Sequence, residues 1–232
     1  MGNLYLIRHG QASFGASDYD VLSPIGQRQA ELLGKFLSAT GLRLHHCFAG
    51  SLRRQQDTAR HTLAQLPDPP ALCTLEGFNE FDAQGVIKAL LPGLLPGEPD
   101  ALQILRNAAE HPAAFQRLFE QIVALWLEGA EGTGATENWA GFLARTAAAL
   151  EAALERAGSG ENIAVFTSGG VITALLHRYT GLAASEAFRL NWQIYNSSIS
   201  HLRFHGTDIT LASFNGHAHL QLANNSELIT WR

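Results

Sequence analysis

Short apolar segments alternate with helical patterns along this chain, and that alternation restricts its fold more than any other feature. Segments with the residue types and flanking turns of strands occur at 4–7, 44–49, 71–75, 163–167, 198–204 and 208–214. Helical patterns occur at 24–38, 52–66, 137–157 and 171–179. Such alternation predicts a mainly parallel sheet with helices on both faces. The last two strands are predicted to form an antiparallel hairpin. We therefore expect a three-layer α/β/α sandwich around a six-stranded sheet.

The domain organisation follows from the length and from one interruption of this alternation. With 232 residues, the chain is predicted to be a single domain spanning 1–232. The segment from about 85 to 137 has a Pro- and Gly-rich stretch at 92–99, followed by helical residues at 100–128. We expect a helical insertion over one end of the sheet that forms a lid or substrate wall. Its aromatic residues can face either substrate or core: Phe115, Phe119, Trp126 and Trp139.

The composition argues against several classes of partner. A formal net charge of −5 gives no general attraction to nucleic acid or to an anionic membrane, so a small molecule is the expected ligand. No secretory leader and no apolar run of membrane-spanning length is apparent, which predicts a cytoplasmic protein without membrane contact. Cys47 and Cys73 have no metal-ligand spacing and are expected to be reduced and structural. No metal or other cofactor is expected, since neither a P-loop nor a dinucleotide fingerprint is present, and the oligomeric state is left open.

Arg8 and His9 directly follow the first predicted strand, in the sequence LIRHG. Ligands of α/β sheets bind at the carboxyl ends of the strands, so both residues lie where a site is expected. A neutral imidazole can act as a nucleophile, and a guanidinium can hold an anion. The alternative is a salt bridge and a capping histidine at the end of a strand.

Two arginines open the helix that follows the second strand, in the sequence GSLRRQQDTA. A helix N-terminus repels cations, so an arginine in its first turn needs an anionic partner. We expect Arg53 to be solvated on the surface and Arg54 to point inward.

Two further motifs follow later strands. FNEFDAQG places Glu80 and Asp82 in a loop, where desolvation by Phe78 and Phe81 would suit a carboxyl group to act as a proton donor. The alternative is an ordinary surface carboxylate.

TSGG, at 167–170, joins the fourth strand to a helix, and its glycines can present N–H groups to an anion or can simply allow a tight turn.

Together these motifs resemble those of the histidine phosphatase superfamily, the phosphoglycerate mutase-like proteins. LIRHGQA, LSPIGQRQA, GSLRRQQDTA, FNEFDAQG and VFTSGGVI occur in the family's order, and the resemblance extends from Leu4 to roughly Leu222. It implies that His9 is the nucleophile that becomes phosphorylated and that Glu80 is the general acid. It further implies that Arg8 and Arg54 clamp the phosphate, and we expect the Ser168 hydroxyl and the Gly169 N–H to bind it as well.

The sequence departs from the family pattern at Ser168, because members usually carry a second histidine at this turn. Loss of a preorganised donor to a developing oxyanion costs about 2.7–4 kcal/mol, or roughly 10²–10³ in rate. His217 and His219 would compensate in part if they reached the pocket, although a structural role is the commoner one for such residues.

The function implied is hydrolysis of a small phosphomonoester through a phosphohistidine. Phosphoglycerate mutase-type transfer is less favoured, because the insertion supplies only scattered cations: Lys88, Arg106 and Arg117. A phosphate-binding protein with weakened or no catalysis is a further alternative. A serine hydrolase, with Ser168 as nucleophile followed by Asp208 and by His217 or His219, is a remote one because it leaves the arginines unexplained.

Overall fold

The computed structural model describes residues 1–13, 20–108, 110–130, 132, 137–158 and 160–231. These residues form two compact units, one comprising Met1–Glu80 and Arg145–Arg232 and the other Phe81–Ala144.

The larger unit contains a six-stranded sheet with the strand order β3-β2-β4-β1-β5-β6. Its strands are β1 (Gly2–Arg8), β2 (His46–Ala49), β3 (Leu72–Thr74), β4 (Asn162–Thr167), β5 (Ile199–His205) and β6 (Asp208–Gly216). The β1/β4, β2/β4 and β2/β3 pairs are parallel, whereas β1/β5 and β5/β6 are antiparallel. The predicted mainly parallel sheet and its terminal hairpin are confirmed, and β1, β2 and β4 end at the same edge.

The helices occupy the segments between the strands. They are α1 (Pro24–Ala39), α2 (Arg53–Leu63), α3 (Ala83–Leu94), α4 (Ala101–Arg106), α5 (Pro112–Leu127), α6 (Trp139–Leu154), α7 (Gly169–Thr180), α8 (Ala184–Asn191) and α9 (Ala218–Gln221). Short 3-10 turns occur at Glu76–Phe78 and Ser226–Leu228. The start of α1 follows the predicted cap, because Ser23 Oγ accepts the Gly26 N–H.

The central strands β1, β2 and β4 are buried on both faces of the sheet. One face packs against α1 and α2 in a cluster that includes Ile7, Leu33 and Phe166. Successive strand residues point to opposite faces, and Leu6 and Val165, which alternate with this cluster, are also fully buried. Burial on both sides is typical of parallel sheets between helical layers and agrees with the predicted sandwich.

The smaller unit is helical and contains α3, α4 and α5, within the predicted insertion of about 85–137. Trp126 and Trp139 are buried in this unit, and Phe81 stacks on Trp126 with ring centroids 4.7 Å apart. These two tryptophans are therefore core residues of the unit. The Pro- and Gly-rich stretch at 92–99 begins inside a helix that was not predicted, because α3 continues through Pro92 to Leu94. The role of the segment as a lid or substrate wall stays a prediction.

None of the helices in the described part of the chain combines the length and apolar character needed to cross a membrane. Cys47 is buried, Cys73 is partly exposed, and both are free thiols.

Candidate active site

The end of β1 is fixed by its neighbours and places Arg8 and His9 at the carboxyl edge of the sheet. The His9 N–H donates to Thr167 O at 2.8 Å, which continues the β1/β4 ladder. Asn196 Nδ2 donates to His9 O at 3.2 Å. Arg8 Nη1 donates to the backbone oxygen of Ile194. The sequence prediction that both side chains lie at this edge is confirmed.

The His9 ring is oriented by a hydrogen bond to the adjacent backbone. His9 Nδ1 lies 2.7 Å from Gly10 O, and because a carbonyl can only accept, Nδ1 carries the hydrogen. The lone pair is therefore on Nε2, which accepts a hydrogen bond from Arg54 Nε at 3.2 Å. Burial lowers the pKa of His9 well below its ordinary value, and the charges of Arg54 and Arg8 lower it further. The ring is consequently neutral near pH 7, with Nε2 as the nitrogen able to attack an electrophile.

Gly10 brings the loop after β1 into close contact with two helices. Its N–H donates to Thr58 Oγ1 at 2.9 Å, and Thr58 Oγ1 donates to Arg54 O at 2.6 Å. A Cβ at Gly10 would lie 2.4 Å from Gly26 O, so a larger residue would displace backbone. The glycine therefore allows the approach that holds His9 beside α2.

Arg54 points inward as predicted, and its anionic partner is Asp20. Asp20 Oδ1 accepts from Arg54 Nη1 at 2.6 Å, and Oδ2 accepts the Arg53 N–H at 2.8 Å. Leu52, the N-cap of α2, has no side chain that can cap the helix, so the Asp20 carboxylate takes that role. Arg53 is exposed, also as predicted.

Sequence reasoning missed Asp20. The requirement for an anion near Arg54 was evident, but nothing in the sequence selects this carboxylate from the others.

Glu80 lies at the N-terminus of α7. Its Oε2 accepts the Gly170 N–H at 3.0 Å. One N–H group of the TSGG turn is thus bonded to an acidic side chain of the protein itself. Asp82, the other acidic residue of the loop, is the N-cap of α3, where its Oδ1 accepts the Gly85 N–H.

Ser168 and Gly169 form the other part of this turn. Ser168 is the N-cap of α7, yet its side chain makes no capping bond and instead accepts from Gln55 Nε2 at 2.8 Å. A Cβ at Gly169 would lie 2.4 Å from Asn191 Oδ1 and 3.9 Å from Arg8 Nε. The absence of a side chain at Gly169 therefore allows the Asn191 amide to lie close to this turn, next to Arg8. Gln55 is a second residue that sequence reasoning missed.

Among the described residues, the hydrogen bonds and ring contacts of His217 and His219 are with residues other than Ser168. His219 Nε2 pairs with Ser197 Oγ at 3.1 Å, and burial lowers the pKa of His219 to about 4, with a further contribution from His217. Ser197 in turn donates its N–H to His9 O at 3.2 Å, so His219 supports the backbone beside the site. The His217 ring packs on Tyr195, with centroids 4.3 Å apart.

Compensation by His219 is therefore wrong, because its ring is bonded to Ser197, whereas compensation by His217 stays a prediction. The serine hydrolase alternative is wrong, because Asp208 starts β6 beside the N-terminal end of β1, whereas Ser168 lies at the carboxyl edge, where Gln55 is its hydrogen-bond partner.

Within the described residues, no group of three or more His, Cys, Asp or Glu side chains is arranged to hold a metal ion. The residues that the structure does assemble, an imidazole with two arginines, a carboxylate and a hydroxyl, suit an anionic ligand that carries several oxygen acceptors.

The family assignment rests on the whole chain. The model of the histidine phosphatase superfamily (branch 1) matches residues 4–217. The chain belongs to the histidine phosphatase superfamily. Its relatives within that superfamily include the serine/threonine-protein phosphatase Pgam5, mitochondrial, of Caenorhabditis elegans, which is 40% identical over 121 residues. That match covers 51% of this chain and 40% of the relative. The chain matches from about a quarter to about two fifths of the length of the PGAM5 proteins it resembles.

Solved structures in the superfamily share the fold. A phosphoglycerate mutase from Bacillus anthracis superposes with a TM-score of 0.65 and 18% identity, covering 97% of each chain. A phosphoserine phosphatase from Entamoeba histolytica, solved in complex with phosphoserine, has a TM-score of 0.63 and 17% identity. It covers 95% of this chain and all of its own. At these identities the likeness establishes the fold, and members of the superfamily with this fold are phosphatases or mutases.

Proposed function

We propose that this superfamily member hydrolyses phosphomonoesters of small metabolites through a phosphohistidine at His9. The observation that supports the proposal is the state of the His9 ring. Its Nδ1 donates to Gly10 O, while the lone pair on Nε2 accepts a hydrogen bond from Arg54 Nε at 3.2 Å, a donor that a bound phosphoryl oxygen would take over before Nε2 attacks. A nucleophile and a cation for the phosphoryl oxygens are thus adjacent.

In the first step, His9 Nε2 attacks phosphorus in line with the departing ester oxygen. A P–N bond forms while the P–O bond breaks, and Glu80, which binds a proton from solvent before this step, gives that proton to the leaving alcohol. Arg8 and Arg54 neutralise the charge on the non-bridging oxygens. The Ser168 hydroxyl and the Gly169 N–H serve as neutral donors to the same oxygens.

In the second step, water attacks the phosphohistidine. The Glu80 carboxylate accepts a proton from this water, the P–N bond breaks, and inorganic phosphate leaves with His9 neutral again. No other group has to be supplied for the cycle to balance.

Mutase chemistry would instead return the phosphoryl group to the substrate. We favour hydrolysis, since a bisphosphate would need further cations, and the candidates in the insertion are exposed residues on three different helices: Lys88, Arg106 and Arg117. The phosphoserine complex of the Entamoeba histolytica phosphatase supports a small phosphorylated ligand as the substrate class. The cytoplasmic location stays a prediction from the sequence.

A panel of small phosphomonoesters tests the proposal. The wild type is expected to release inorganic phosphate from at least one ester, His9→Ala to lose that activity, and His205→Ala to keep it, because His205 is an exposed imidazole at the end of β5. An isomeric phosphoester in place of inorganic phosphate would indicate a mutase. Equal rates for wild type and His9→Ala on every ester would overturn catalysis and leave a phosphate-binding protein.

A further inference from the structure

Gln55 is a fully buried polar residue next to Arg54 for which the proposed mechanism has no role. It is 0% exposed, and its Nε2 donates to two acceptors, Phe78 O at 3.0 Å and Ser168 Oγ at 2.8 Å. An amide NH₂ has two hydrogens, so these two bonds use both of them. Gln55 therefore links α2, which carries Arg54, to the segment before Glu80 and to the turn before α7.

The orientation of the Gln55 amide is fixed by its surroundings. Phe78 O can only accept, and it also accepts from Thr167 Oγ1 at 2.7 Å, so the amide must present its nitrogen to this carbonyl. Gln55 Oε1 lies against Gly50, since a Cβ added at Gly50 would be only 2.0 Å from this oxygen. This oxygen is buried without a hydrogen-bond donor among the described residues, which costs free energy. An amide that keeps this position despite the cost points to a role beyond packing.

The Gln55 bond determines how Ser168 can use its hydroxyl. Ser168 is 1% exposed, and its Oγ accepts from Gln55, so its own proton must be donated to another acceptor. Among the described residues, the Ser168 side chain is bonded to Gln55, and it does not cap α7. Ser168 follows Thr167, whose carbonyl accepts the His9 N–H, so the hydroxyl lies at the strand end beside His9.

We infer that Gln55 is a positioning residue, which makes Ser168 Oγ an acceptor and thereby leaves the Ser168 proton for a phosphoryl oxygen bound at His9. The inference rests on the proposed function and deepens it. Gln55 and Ser168 are both uncharged. The Ser168 hydroxyl would therefore donate to phosphate equally well across the pH range in which an imidazole would titrate.

A double-mutant cycle between Gln55→Leu and Ser168→Ala tests the inference. Two quantities are measured, kcat/KM for the best phosphomonoester and, in the His9→Ala background, the Kd of inorganic phosphate by calorimetry. Ser168→Ala should lower kcat/KM by about 10²-fold, as expected for loss of an oxyanion donor. Gln55→Leu should lower it by roughly tenfold in the wild type but by less than about twofold when Ser168 is already alanine.

Gln56→Leu is the matched control. Gln56 is the next residue of α2, is also buried, and its Nε2 donates to Gly50 O and Thr74 Oγ1 but not to Ser168. Its effect on kcat/KM should be small and should be the same in both Ser168 backgrounds. Gln55→Met, which keeps an unbranched side chain without donors, replaces Gln55→Leu if that variant does not fold.

The outcomes separate this inference from the proposed function. An unchanged kcat/KM in Gln55→Leu, or an equal loss with and without Ser168, would overturn a positioning role. If the wild type hydrolyses no ester, the proposed function fails, and the phosphate Kd then decides the inference alone. The expected coupling in Kd would support it, and its absence would overturn it.

Discussion

The helices α2 and α7 begin at the same edge of the sheet, but their first turns differ in charge. The first turn of α2 carries the buried Arg54, and its N–H groups are capped by Asp20. The first turn of α7 carries neutral groups, Ser168 and Gly169, and its Gly170 N–H is capped by Glu80. Each helix N-terminus is thus closed by an acidic side chain from another segment.

In the proposed mechanism, this difference separates two tasks at one site. The α2 side supplies fixed positive charge, which adds, with that of Arg8, to the larger effect of burial in lowering the pKa of His9 and keeping its imidazole neutral. The α7 side supplies neutral donors and the carboxyl group that is proposed to move protons. A helix N-terminus alone therefore does not define the charge of this site, because the residues in its first turn decide it.

Replacement of the acid on the α7 side is expected to have the largest effect. Glu80→Gln keeps an oxygen for the Gly170 N–H but cannot donate a proton, so kcat on alkyl phosphoesters should fall by about 10²–10⁴. The fall on p-nitrophenyl phosphate should be far smaller, since p-nitrophenolate leaves without a proton. Steady-state kinetics on both esters, with the exposed Glu76→Gln as control, measures this contrast. An equal fall on both esters would argue against an acid role.

Replacement of the cation on the α2 side comes next. Arg54→Ala should reduce kcat/KM by about 10²–10³, the usual cost of a lost donor to the reacting group. Arg53→Ala changes the neighbouring, exposed arginine and should leave kcat/KM within a factor of about two, as is usual for surface substitutions. Comparable losses in the two variants would mean that general surface charge, rather than the inward guanidinium, matters.

Removal of the charge that orients Arg54 should have a smaller effect. Asp20→Asn retains an acceptor for the Arg53 N–H but loses the ion pair, and roughly a tenfold drop in kcat/KM is expected from the weaker hold on Arg54. Asp57→Asn, which removes the exposed Asp57–Arg60 pair of the same helix, is the control. A lower KM in Asp20→Asn would instead show that the carboxylate competes with phosphate.

The pH profile should show the smallest but most specific difference between the two sides. Removal of a neighbouring positive charge stabilises the imidazolium, so Arg54→Ala should raise the His9 pKa and move the acid limb of kcat/KM to higher pH. Ser168→Ala removes no charge and should leave that limb unchanged. The same substrate is used for all variants, so its own titration cancels. Identical shifts in both variants would contradict the division of charge.

The sequence predicted those parts of the molecule that depend on local patterns. Apolar runs located the strands, and the unfavourable position of Arg54 at a helix start predicted its inward side chain. The helix α8, with eight residues, is too short for a periodic pattern and was not predicted.

The missed site residues depend on tertiary contacts. Asp20 pairs with a residue 34 positions away, and Gln55 looks like any surface glutamine of a helix until the fold buries it. Conversely, His219 has the chemistry of a catalytic residue but contacts Ser197 in the core. Residue type alone could not decide among these cases.

Trapping of the phosphoenzyme tests the central claim most directly. Wild-type protein is mixed with a radiolabelled phosphomonoester, quenched during turnover, and the labelled residue is identified by fragmentation and nuclear magnetic resonance. The account predicts an acid-labile, alkali-stable phosphoryl group on His9 Nε2 that is absent from His9→Ala. An acid-stable label on Ser168, or rapid hydrolysis with no label on His9, would contradict it.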